Sequence, residues 1–104
     1  MNVASPSSSQ TKNVWWIDIP CEKITNDFNK QLSLVLRKPE EKIVYHLVVP
    51  MQFIYCNHNL FARRDKSGVD NFSFELSLDN FIDIRPNGSE LSFKSFIHGV
   101  FKII

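Results

Sequence analysis

The stretch VDNFSFELSL, residues 69–78, decides the fold. Phe72, Phe74, Leu76 and Leu78 share one parity, and Ser73, Glu75 and Ser77 share the other. A period of two is that of a β-strand with one apolar face. On a helix the same residues would be scattered around the surface. Just upstream, Asp65-Lys66-Ser67-Gly68 is a polar turn ending in glycine, the signal of a hairpin with a left-handed residue. Residues 60–63 are therefore expected to pair back onto 69–78.

The same rhythm runs outward in both directions. Leu32, Leu34 and Leu36 alternate with Ser33, Val35 and Arg37. Ile43, Tyr45, Leu47 and Val49 form the next inward row, which leaves His46 on the opposite face between Val44 and Val48. In Val14–Ile19, Trp15, Ile17 and Ile19 oppose Val14, Trp16 and Asp18, and Pro20 ends the strand. Lys38-Pro39-Glu40-Glu41 reads as a tight turn with proline pre-set at its second position. Downstream, Pro86-Asn87-Gly88 gives a second hairpin signal. Leu91, Phe93 and Ser95 then alternate with Ser92, Lys94 and Phe96. The apolar tail IHGVFKII, 97–104, is a final strand or a sign that more chain follows.

Two stretches leave their state open. Residues 20–30 lean to a helical turn near 20–24. Met51 to Asn57 (MQFIYCN) reads as a short helix with Pro50 at its first turn, or as a bulged strand. Short strands at roughly ten-residue spacing argue for an all-β layer architecture. The expected fold is mainly β: an antiparallel sandwich or partly open pseudobarrel of about seven strands with one or two short helical turns. A doubly wound α/β fold needs long amphipathic helices, and the sequence offers none.

The chain has 104 residues, enough for one domain with a thin core. Residues 1–13 (MNVASPSSSQTKN) are rich in serine and are expected to be a disordered leader. Residues 14–104 are expected to form a single β-rich domain. Twelve bases and eleven acids give a net charge of +1. Residues 14–60 carry five of each and residues 61–104 six of each, so no segment is a polycation or polyanion. That balance weakens a general affinity for nucleic acid. No secretory signal is evident and no apolar run approaches a membrane span. With only Cys21 and Cys56, a cytoplasmic setting with free thiols is expected. Asn71-Phe72-Ser73 and Asn87-Gly88-Ser89 are then chance matches to a glycosylation acceptor.

Catalytic and metal chemistry find little support. Cys56-x-His58 with Cys21 and His46 offers ligand types, but structural zinc sites favour paired close spacings. Either cysteine beside His46, His58 or His98 would make a dyad only if the fold joined them. Asp79 and Asp83, with Glu90 and Lys94 beyond, read as ordinary surface groups. No phosphate-cradling glycine loop and no nucleophile elbow is present. The reading names no cofactor and no catalytic residue, and leans away from an enzyme.

Two surface features remain. Trp16 groups by parity with Asp18, and Phe96 with Ser92 and Lys94. Large aromatics on nominally polar faces mark a contact patch, unless the second face is itself covered. Arg63, Arg64 and Lys66 form a basic hairpin tip, which Lys94 could extend toward phosphates. The sequence of strand, proline, helical turn, strand and hairpin, with VVP before MQFIYCN, resembles the B3-type pseudobarrel of plant and restriction-enzyme DNA-binding domains. The resemblance is one of pattern over residues 14–104, and it carries over no functional position. The expected function is a non-catalytic module that binds another protein, through an exposed sheet edge or the Trp16 and Phe96 face. The alternative is a DNA- or RNA-binding module using Arg63, Arg64, Lys66 and Lys94.

Overall fold

The computed structural model describes residues 2–7, 13–85 and 91–103. The chain is mainly β, arranged as two sheets that do not close into a barrel. The strands are β1 (Asn2–Ala4), β2 (Pro6–Ser7), β3 (Val14–Pro20), β4 (Gln31–Lys38), β5 (Ile43–Pro50), β6 (Ala62–Lys66), β7 (Val69–Ser77) and β8 (Ile97–Lys102). One sheet has the order β1-β4-β5-β8 and the other β2-β3-β7-β6. Seven of these strands have three residues or more, and β2 is a two-residue addition to the edge of the second sheet.

Parity works as the alternation predicts. Trp15, Ile17 and Ile19 of β3, Leu32, Leu34 and Leu36 of β4, Leu47 and Val49 of β5, and Phe72, Phe74 and Leu76 of β7 meet in one core between the sheets. Trp15 ties the two layers together. Its indole Nε1 donates to the Arg37 carbonyl of β4 at 2.8 Å, and its ring stacks on Phe81 at 5.2 Å. Phe81 reaches that position with φ of 59°, a left-handed conformation costly for a bulky residue. The hairpin between β6 and β7 turns on Ser67 and Gly68, both with positive φ, and Asp65 Oδ1 accepts the Gly68 N–H at 2.9 Å. That is the two-residue turn whose twist suits a hairpin.

The undecided stretches resolve locally. Cys21–Lys23 is a 3-10 turn, and Met51–Cys56 is a short α-helix, α1, entered through Pro50. Met51 and Ile54 face inward, so α1 closes one side of the core. No helix among the described residues is long and apolar enough to cross a membrane.

Three expectations need correction. Residues 2–7 do not lie outside the fold: β1 pairs with β4 and β2 with β3, and Ala4 is buried in the core. Residues 8–12 lie outside the described residues. The sheets are also not wholly antiparallel, because β1 runs parallel to β4. Finally, Leu91 to Ser95 is not a continuous strand. Ser92 bridges Ile82 in isolation, and Lys94–Phe96 is a 3-10 turn that lays Phe96 against Phe53 at 4.7 Å. The turn expected at Pro86–Gly88 lies outside the described residues.

Candidate protein-interaction face

The larger sheet has two unlike faces. Its inner face carries Leu34, Leu36, Tyr45 and Leu47 into the core. Its outer face follows from register and alternation. Val3 of β1 stands beside Val35 of β4, Val35 beside His46 of β5, and His46 beside Gly99 of β8. A second row joins Arg37, Val44 and Phe101, and a third joins Ser33 to Val48. Apart from Arg37, Ser33 and the imidazoles, these rows are apolar. α1 packs Met51, Phe53 and Ile54 against the core, and the 94–96 turn packs Phe96 there. Val3 remains 59% exposed and Phe101 57%.

β8 completes the surface as an edge strand. A register shift between His46 and Leu47 places an extra residue, His98, opposite β5, and its ring meets His46 edge-on at 5.4 Å. His46 Nε2 is buried there with no hydrogen-bond partner among the described residues. Beyond the bulge, Gly99 to Phe101 run in register with Val44 to His46. The Phe101 ring lies over Gly99 so closely that a Cβ there would stand 2.9 Å from it. Glycine thus lets the ring lie flat along the edge. Val100, on the other side of the strand, is 55% exposed. A six-residue edge therefore presents large apolar side chains on both of its sides.

The partner-binding aromatics anticipated from sequence lie apart. Trp16 is 39% exposed on the outer face of the smaller sheet. Arg64 covers its ring at 4.7 Å and Arg85 at 5.6 Å, while Nε1 donates to Ser73 Oγ at 2.8 Å. Arg85 also donates to Ser73 Oγ at 2.6 Å and pairs with Glu75 at 3.1 Å. Phe96 instead packs between Phe53 and Phe93 against the core. The two do not form one patch.

The basic tip is divided as well. Arg63 stands opposite Phe72 on the inward parity of β6, lies over that ring at 5.2 Å, and pairs with Asp70. Arg64 takes the other parity and pairs with Asp18 at 3.3 Å. Lys66 is exposed at the end of β6, and Lys94 belongs to the separate 94–96 turn. Thus the four cations do not gather on one face.

Two further clusters bear on chemistry. Cys21 and His58 line one cleft of about 190 Å³ with Ile24, Tyr55 and Phe72. The Tyr55 carbonyl lies 2.6 Å from His58 Nδ1 and so fixes the proton on that nitrogen. Burial pushes the Cys21 thiol up, against the pull of the Arg63 charge, which leaves it a protonated and weak nucleophile at neutral pH. His46 lies on the outer face of the larger sheet beside His98, and no group of three or more metal-ligating side chains occurs among the described residues. Asp79 is exposed, but Asp83 is fully buried. Asp83 Oδ1 accepts the N–H groups of Glu75 and Arg85 at 3.2 and 3.1 Å, while Oδ2 has no partner among the described residues. Burial raises this carboxyl above its ordinary range. It acts as a bracket between β7 and the 82–85 segment.

Compared with family models, curated proteins and solved structures, the chain matches none.

Proposed function

We propose that this chain is a non-catalytic interaction module that binds another protein through the outer face of the larger sheet and its β8 edge. One observation carries the reading: the rows Val3–Val35–His46–Gly99 and Arg37–Val44–Phe101 form a mainly apolar surface, exposed at Val3 and Phe101, that ends on an edge strand. Contiguous exposed apolar surface on a small domain marks a contact site. The nucleic-acid alternative draws less support, because Arg63 and Arg64 point to opposite faces and each meets a carboxylate. Specific protein contact also needs no catalytic constellation, and Cys21 is poorly suited to be a nucleophile.

The test is selection from a random-peptide display library by the immobilised protein. Enriched peptides are then scored against Phe101→Lys and Trp16→Lys. Both side chains are exposed enough for the fold to survive, which a dispersed amide spectrum confirms. Binding should persist with Trp16→Lys and fall by roughly tenfold or more with Phe101→Lys, the loss of about one buried anchor. No enrichment, or enrichment indifferent to Phe101, overturns the reading.

A further inference from the structure

The four sheet edges differ in how far they are guarded against an added strand. β1 has three residues, and β2 has two, one of them Pro6. β6 is ARRDK, with four charged residues in five. Short length, proline and charge are the usual means of blunting an edge. β8 has six residues, one lysine, and a bulge confined to its Ile97–Gly99 end. Among the described residues it is the least protected edge.

Charge is divided between the sheets. The four strands of the larger sheet contain Arg37, Lys38, Lys102 and two histidines, and no aspartate or glutamate. Lys38 is tied to Glu41 at 3.2 Å, but Arg37 and Lys102 are exposed and lie on or beside the apolar face. The smaller sheet holds Asp18, Asp65, Asp70 and Glu75 against Arg63, Arg64 and Lys66. The near-neutral chain therefore presents a cationic sheet and a mixed one. A second copy of the chain would bring another strand with Lys102 and no carboxylate to this edge, and so offers Lys102 no opposite charge.

Resting on the reading above, we infer that β8 takes its partner as an added strand: an extended peptide segment in which apolar residues alternate with acidic ones. Backbone groups of β8 not used by β5 supply the ladder, as in strand addition generally. The apolar residues of the segment take the outer parity, beside Phe101 and Gly99. Its carboxylates take the other parity and meet Lys102.

The peptides selected above serve as the probe. Those dependent on Phe101 should be enriched in Asp and Glu at alternate positions, and should bind more weakly as salt rises. Amide shifts on titration should centre on Val100, Phe101 and Lys102. Lys102→Glu should weaken acidic peptides by roughly tenfold while leaving the fold intact, since changing one exposed charge from attraction to repulsion acts mainly on recognition. Phe101-dependent peptides that are neutral or basic, or indifferent to Lys102→Glu, overturn the acidic-strand assignment and leave the interaction reading standing. Absence of any Phe101-dependent peptide overturns both. A concentration-dependent dimer that excludes the peptides and is dissolved by Phe101→Lys places a second copy on the edge, and overturns the assignment in favour of self-association.

Discussion

Adjacent tryptophans with opposite roles give a direct measure of what holds the sheets together. Trp15→Phe keeps an aromatic ring but removes the indole N–H and the fused ring. Trp15 is fully buried, and its N–H reaches the Arg37 carbonyl of the opposite sheet at 2.8 Å. Losing that bond and leaving a buried acceptor costs about 1 kcal/mol or more. The vacated space, a few tens of Å³ at about 24 cal/mol per Å³, adds about 1 kcal/mol. Poorer stacking on Phe81 and poorer edge contact with Tyr45 add a few tenths. The total is about 2–3 kcal/mol. With a urea slope of about 1–3 kcal/mol per molar, the midpoint should fall by about 0.7–3 M at unchanged slope. Trp16→Phe is the internal control. It loses the indole bonds to Ser73, which Arg85 still satisfies, and to Asp18, which Arg64 still meets, and keeps a ring for Arg64, so it should cost about 1 kcal/mol or less. Urea unfolding followed by far-UV circular dichroism reads both variants. A loss for Trp15→Phe no greater than for Trp16→Phe would refute the assignment of Trp15 as the tie between the sheets.

Asp83 and the arginines supply the remaining predictions. Because burial raises the folded-state value of Asp83, its contribution to stability is present at pH below the ordinary carboxyl range, near 3.9, and is lost as pH rises through the folded value. Asp83→Asn cannot titrate, so its stability relative to wild type should be greatest at neutral pH and decline on acidification; a constant difference in unfolding free energy between pH 7 and 4 would contradict this. Arg85→Ala removes the partner that Glu75 and Ser73 share in a largely buried cluster, and should cost about 2 kcal/mol or more in chemical unfolding. Arg63→Ala loses an exposed pair with Asp70 and a ring contact with Phe72 and should cost clearly less than Arg85→Ala, so equal losses would show that burial does not separate the two.

The four principal strands were legible because each sets its core residues on one parity, although in β7 the polar parity, Asn71, Ser73 and Glu75, is buried too. The apolar rows of β3, β4, β5 and β7 needed only their own residues to be read. The edge elements were not legible for the same reason. β1 contributes Val3 and Ala4, and what makes it a strand is the open side of β4. A serine-rich flank gives no hint of that partner. Leu91 and Phe93 alternate as a strand would, and Phe93 is buried, yet the chain turns at Lys94 because Phe96 is drawn onto Phe53. Parity did place Trp16 on an outer face. The residues that flank it come from far along the chain, with Ser73 57 positions away, so its contacts with two arginines could not be read from the sequence.

The candidate face was hidden by strand order rather than by composition. Val44, His46 and Val48 were visible as an outward row, and the apolar residues of the tail were visible as a possible strand. Joining them requires that β8 pair with β5, passing over the intervening β6 and β7. The same step conceals the charge. Residues 14–60 and 61–104 are each balanced, but the sheets cut across those segments. The first segment gives β4 and β5 to the larger sheet and β3, with Asp18, to the smaller. The second gives β8 to the larger and β6 and β7, with Asp65, Asp70 and Glu75, to the smaller. Balance along a chain therefore says little about balance across a sheet when connections are non-local. For a β protein of this kind, an electrostatic argument about partners has to be made sheet by sheet. Made that way, it points to β8, the edge least guarded by charge or proline among the described residues.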